Sequence, residues 1–258
     1  MQKFEGEHLL PGQLGHFFVI LALVSSLIAM ISFFNASRTQ NNFLKNQWMK
    51  FAKINFAIQA FSILFIFCTV FYICYNHYYE YMYAYKHASK ELETKFLLAC
   101  IWEGQEGSFL LWSIWHALIG IAILSIKKEE YKTTWQAPVL TIISLAQCCL
   151  MLMILGIYLH EIKIGNKTYF SDIRIGNSLF TFTRNEIPAP IFSQPNYLNF
   201  LKDGMGLNVL LRNYWMVIHP PILFLGFAST IVPFAFAYAG IQTKKFGDWV
   251  KPVFPWAL

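Results

Sequence analysis

Seven histidines and five cysteines are the side chains with which this 258-residue chain can bind a metal or carry electrons. The cysteines, Cys68, Cys74, Cys100, Cys148 and Cys149, form no C-x-x-C pair and no C-x-x-C-H. Neither a dithiol redox motif nor a covalent heme attachment site is therefore written here. Among the histidines, His8, His77, His87 and His160 fall in polar segments or at the ends of apolar runs, where a solvated or hydrogen-bonded imidazole needs no special cause. His16 and His116 lie within or near apolar runs; each is a candidate functional group, or a neutral imidazole bonded to a neighbouring helix carbonyl. His219 stands apart because of its surroundings, Trp215-Met216-Val217-Ile218-His219-Pro220-Pro221. A residue before proline is steered away from helix, whereas proline suits a first helical turn, so the spacing predicts a helix beginning at Pro220 with His219 fixed at its start. A stiffly held neutral imidazole beside Trp215 suits axial ligation of a planar macrocycle, and it equally suits a helix cap with an interfacial tryptophan.

A second cluster runs Trp102-Glu103-Gly104-Gln105-Glu106-Gly107-Ser108-Phe109-Leu110-Leu111-Trp112, with Trp115 and His116 one turn on. Gly104, Gly107 and Ser108 permit close backbone approach, and Trp112 and Trp115 share a helix face at i and i+3. That face can stack on a flat apolar ligand or simply pack against another helix. Glu103 and Glu106 are costly in hydrocarbon, so they are expected to face water, a partner loop or a basic residue such as Arg212.

The elements that must position these groups follow from composition. The chain is 56% hydrophobic and only 13% charged, with 25 Phe, 13 Tyr and 8 Trp. An ordinary soluble domain carries about a quarter charged residues, so a disordered tail is excluded and an integral membrane protein is expected in preference to a water-soluble globule. A bilayer crossing takes about 20 apolar residues as helix. Five runs qualify: 14–34, 51–75, 109–126, 137–158 and 220–239; a sixth begins at Pro252. The fold expected is an all-α polytopic bundle of about five transmembrane helices plus the start of a sixth, one membrane domain over 1–258. The polypeptide reads as the first part of something longer. The first run lacks the basic flank of a signal peptide and should be retained.

Connections after spans one, three and five hold ten basic residues, among them Lys45, Lys128 and Lys245, against three acids. The opposite side also holds ten, spread over longer segments and balanced by nine acids. The positive-inside rule then puts the N-terminus outside. The net charge of +6 is explained by topology, and no nucleic-acid module accompanies it. Two outer segments result, 76–99 and 159–213. The first is rich in tyrosine (Tyr78, Tyr79, Tyr81, Tyr83, Tyr85), as expected at headgroup level. The second carries two I-x-I-G-N units, 162–166 and 173–177, each read as a hairpin turn, so a small outer β-element is expected between spans four and five.

Several of these stretches resemble the CcmF family of bacterial cytochrome c biogenesis proteins, within the wider cytochrome c assembly group of heme-handling membrane proteins. The stretches are Leu14-Gly15-His16-Phe17, Tyr85-Lys86-His87-Ala88-Ser89, Trp102 to Trp112, Gly206 to Leu211 as G-L-N-V-L-L, and Trp215 to Gly226 as W-M-V-I-H-P-P-I-L-F-L-G. The resemblance implies heme as cofactor and cargo, received and ligated to apocytochrome c outside a bacterial inner membrane, with this chain a component of a heme lyase. It implies that His219 is an axial ligand to heme iron, with Trp102, Trp112, Trp115 and Trp215 lining the site and Glu103, Gly104, Glu106, Gly107, Ser108, Pro220 and Pro221 completing the motifs. Partners implied are apocytochrome c, a heme chaperone and other maturation subunits. The family's tryptophan-rich heme segment is missing here, so the chain reads either as a truncated product or as one piece of a split protein whose separate partner chain carries that segment. A heme exporter or heme-transfer subunit of the same group is the nearest alternative. A proton or cation transporter using Glu103, Glu106 and His116 is a further one, disfavoured because only span three offers carboxylates.

Overall fold

A computed structural model describes residues 4–159, 162–164, 167–170 and 173–257. Among the described residues, five stretches are helical, long and apolar enough to cross a membrane: Leu9–Arg38, Asn42–Tyr75, Gln105–Ser125, Tyr131–Leu155 and Tyr214–Gln242. The protein is a helical membrane bundle, as expected, but its helices outrun their hydrophobic cores. Helix α1 (Leu9–Arg38) takes Pro11 into its first turn, where a missing N–H costs nothing. Helix α2 (Asn42–Tyr75) starts nine residues before the apolar run, with the Asn41 Oδ1 accepting from the N–H groups of Phe43 (2.9 Å) and Leu44 (3.3 Å). Lys45, Lys50 and Lys53 therefore ride on α2 and not in a loop. No glycine or proline in N-F-L-K-N-Q-W-M-K stops the helix where hydrophobicity stops.

Helices α3 (Met82–His87) and α4 (Thr94–Ala99) follow, then α5 (Gln105–Ser125). Helix α6 (Gln136–Leu155) is entered through a π-turn over Tyr131–Trp135. Pro138 offers no N–H to the carbonyl four residues back, which favours a wider turn there. After α7 (Thr183–Glu186), the expected single helix from Pro220 to Ala239 is instead two, α8 (Tyr214–Ser229) and α9 (Ile231–Gln242). The break falls where Pro233 removes the donor for the Ser229 carbonyl while fitting the first turn of the new helix. Helix α10 (Val250–Ala257) begins two residues ahead of Pro252.

Strands β1 (Ile157–Leu159) and β4 (Ile173–Ile175) pair antiparallel, as do β2 (Ile162–Ile164) and β3 (Lys167–Phe170). The first I-x-I-G-N unit supplies β2; its Gly165-Asn166 pair, like His160, lies outside the described residues. The second is not a hairpin turn. Gly176 has a φ of +71°, and a Cβ there would lie 2.0 Å from the Met153 carbonyl oxygen, to which the Asn177 N–H donates at 3.0 Å. That pair returns the chain from β4 to the end of α6, a close approach only glycine allows.

The chain divides into two compact units. The first comprises 1–19, 64–110 and 152–221, the second 20–63, 111–151 and 222–258. Within the first, the 76–99 and 159–213 segments are joined by a bridge between Tyr81 and Phe182 and by the Thr183 N–H on the Glu80 carbonyl (2.7 Å). The second unit packs Phe33, Phe56, Trp135, Leu140 and Phe236 into a continuous apolar core.

Candidate functional site

The W-E-G-Q-E-G stretch is a tight turn into α5, held by main-chain carbonyls. Tyr83 donates its hydroxyl to the carbonyls of Ile101 (2.8 Å) and Cys100 (3.1 Å), and Ser108 Oγ donates to that of Trp102 (3.0 Å). A Cβ at Gly107 would lie 1.6 Å from the Ile101 carbonyl oxygen and 2.2 Å from the Tyr83 hydroxyl, so no other residue fits. His87 packs over Gly104, its Nδ1 2.9 Å from Glu103 Oε2 and its ring 4.6 Å from that of Tyr83. Glu103 thus finds His87 and not Arg212, whose Nε donates to the Leu207 carbonyl. Cys100 donates to the His87 carbonyl, and burial, reinforced by Glu103, pushes its thiol up to about 12. It stays protonated and unreactive at neutral pH.

Glu106 faces a polar cavity of about 330 Å³ with Lys86, His87, Gln105, Arg174 and Glu186. Arg174 grips Glu186 with two nitrogens (2.8 and 2.9 Å) and covers the Tyr158 ring at 4.6 Å. The guanidinium hydrogen bond holds the Glu186 carboxyl below its usual range.

Helix α8 carries the other motif. It is capped by Asn213, whose Oδ1 accepts from the Met216 N–H (3.3 Å), and it begins six residues before Pro220. His219 therefore sits in the second turn and not at a helix start. The preference of a pre-proline residue for extended backbone yields to the capped turn already formed by 214–218. Pro220 leaves the Met216 carbonyl without its main-chain donor, and Trp102 Nε1 donates to that carbonyl at 3.0 Å. Trp102 is 7% exposed, Trp215 is 69% exposed and His219 is exposed. Trp215 and His219, four residues apart, share one helix face. Among the described residues, none makes a hydrogen bond or ion pair with the His219 imidazole.

The remaining family-like stretches of the first unit pack around these two. Asp203 accepts at one oxygen from the Tyr79 hydroxyl (2.6 Å) and the N–H groups of Gly204 (2.8 Å) and Lys90 (3.0 Å). Burial works to raise the Asp203 pKa, but these bonds outweigh it and hold the carboxyl below its usual range. The Met205 N–H donates to the Tyr85 carbonyl (2.7 Å), tying G-L-N-V-L-L to Y-K-H-A-S. Gly15 lies against the Phe180 ring. In the second unit, Trp112 donates to His116 Nε2 (3.2 Å) and packs with Phe224 and Phe227, while Trp115 lies against the apolar core.

The chain is similar to known proteins in sequence and in fold. The chain is 25% identical over 250 residues to the cytochrome c-type biogenesis protein CcmF of Haemophilus influenzae, covering 95% of this chain and 32% of that one. It is 26% identical to CycK of Rhizobium meliloti over 95% of its length and 31% of the relative's. The solved structure of the cytochrome c heme lyase CcmF superposes with a TM-score of 0.64 at 20% identity, over 95% of this chain and 33% of that one. The chain is a relative of the CcmF and CycK cytochrome c-type biogenesis proteins. It spans about a third of the length of these relatives, and it shares the fold of the CcmF structure. No family model matches it.

Sequence reasoning passed over the residues that join the CcmF-like stretches. Tyr79, Tyr81 and Tyr83 were expected at headgroup level, yet all three are buried, and their hydroxyls bind Asp203, the His8 carbonyl and the Ile101 carbonyl. No periodicity marks them, since Tyr79 lies in a turn and Tyr83 in α3. Asn213, the cap of α8, was legible as an asparagine before an apolar run.

Proposed function

We propose that this chain is a heme-handling subunit in cytochrome c maturation, receiving heme as its substrate for ligation to apocytochrome c on the outer face of a bacterial inner membrane. The observation that carries the reading is the exposed His219 imidazole with exposed Trp215 on the same face of α8, in a chain related to CcmF. An imidazole nitrogen supplies one axial bond to heme iron, and an indole one turn away covers the adjacent porphyrin face. Leu210, 83% exposed, and Tyr214, 67% exposed, extend the apolar surface just before Trp215 and suit the macrocycle edge. Heme brings its own thioether-forming vinyl groups and the apocytochrome its own thiols, so the protein's part is to hold and orient. This agrees with Cys100 being a protonated, hydrogen-bonded thiol. Apocytochrome c, a heme chaperone and the further maturation subunits are the partners this reading requires, and the N-terminus lies outside.

Cells carrying the complete maturation assembly test it. His219→Ala should abolish covalent cytochrome c while the protein still inserts in the membrane, since nothing nearby replaces a directed metal bond. Maturation at the normal level in that variant would remove His219 from the site.

A further inference from the structure

Proline inside a helix ordinarily breaks it, because the ring crowds the carbonyl four residues back and leaves that carbonyl without a donor. Helix α8 holds two consecutive prolines and runs on unbroken to Ser229. Pro220 and Pro221 release the carbonyls of Met216 and Val217. The first is taken by an indole from far along the chain: Trp102 Nε1 lies 3.0 Å from the Met216 oxygen, 114 residues away, and the tryptophan is 7% exposed. An indole N–H is a donor only, so this side chain can satisfy a carbonyl but cannot compete for an amide. Trp102 is itself fixed, because Ser108 binds its carbonyl and Tyr83 binds those of the two preceding residues. The carbonyl it completes belongs to the turn between Trp215 and His219.

We propose that Trp102 is a positioning residue for His219. Its indole N–H stands in for the amide that Pro220 lacks and so holds the proline-containing turn of α8 in the one geometry that presents the imidazole. This rests on the reading that His219 binds heme. It makes the first residue of W-E-G-Q-E-G and the proline pair of I-H-P-P two halves of one device. The tryptophan is assigned to the helix backbone and not to the porphyrin face.

The proposal predicts an energetic coupling between Trp102 and Pro220. Four forms of the protein in lipid nanodiscs decide it: unaltered, Trp102→Phe, Pro220→Ala, and the double substitution. Phenylalanine keeps the ring's bulk and loses the N–H; alanine restores a main-chain N–H at 220 that bonds the Met216 carbonyl directly. Hydrogen exchange of amides in 214–226 should quicken about fivefold in Trp102→Phe, the loss of one net hydrogen bond, and should be unaffected by the same change made in the Pro220→Ala background. An equal quickening in both backgrounds would show that Trp102 acts by packing alone, and no quickening in either that the bond is idle; both overturn the proposal. Titration with hemin supplies the second readout. Trp102→Phe should weaken severalfold only that part of hemin binding which His219→Ala removes, and unchanged hemin binding in Trp102→Phe would also overturn it. If His219→Ala removes no hemin binding, the heme reading itself fails, and the exchange experiment still judges the Trp102 bond.

Discussion

Gly107 and Gly226 carry the same residue type in two family-like motifs, and the structure assigns them opposite roles. A methyl group at Gly107 meets main chain at 1.6 Å, which cannot rotate away, whereas at Gly226 nothing lies within 4 Å. Gly107→Ala should therefore destabilise the first unit by about 3 kcal/mol or more, the upper range for overpacking against rigid neighbours. Gly226→Ala, in the last turn of α8, should be neutral or stabilising by up to about 1 kcal/mol through helix propensity. Thermal unfolding in detergent checks both, and equal sensitivity at the two positions would contradict the packing described. The requirement for close approach at Gly104 and Gly107 was legible in the sequence, because glycine has few other uses beside a tryptophan-rich helix. What they approach was not, because His87 and Tyr83 lie some 20 residues earlier and nothing local marks them as partners. His87 itself was seen but left without a role; only the fold brings it to Glu103.

Elements were legible where hydrophobicity defines them and illegible where hydrogen bonds do. All five long helices answer to the apolar runs, but their ends answer to Asn41, Pro233 and Asn213, polar or cyclic residues that hydropathy ignores. The small β-element was legible as well, though the second Gly-Asn unit, Gly176-Asn177, returns the chain to α6 and does not turn a hairpin. That element is clamped to α7 by Arg174 and Glu186, and its pH response has a definite sign. Glu186 and Asp203 both have depressed folded-state pKa values, so each contributes stability that is present above the usual carboxylate value of about 4 and is lost as the pH falls through the lower folded value. Amide protection in 157–175 and 200–206, taken relative to the intrinsic exchange rate at each pH, should fall below about pH 4 and be flat from pH 5 to 7. Arg174→Ala should abolish the acid sensitivity of the β-element while leaving that of 200–206 intact. An unchanged acid response after Arg174→Ala would remove the clamp from the account.

At the scale of the whole molecule, stretches from residue 14 to residue 219 gather in the first unit, where Tyr83, Trp102 and Asp203 tie them together. The sequence order gave no hint of this, since each stretch sits in a different helix or connection. The proposed function needs that gathering on the outer side of the membrane, so reporter fusions at Tyr81 and Thr183 should read outside, and fusions at Lys45, Lys128 and Lys245 should read cytoplasmic. The reverse pattern would put His219 on the wrong face for apocytochrome c. The central claim, that His219 ligates heme iron, is tested most directly by titrating the purified protein in nanodiscs with hemin and recording the axial-ligand signature by resonance Raman. The account predicts a histidine-ligated spectrum that His219→Ala loses and that added imidazole at least partly restores by entering the emptied coordination position. The same histidine-ligated spectrum in His219→Ala, at the same hemin affinity, would contradict it.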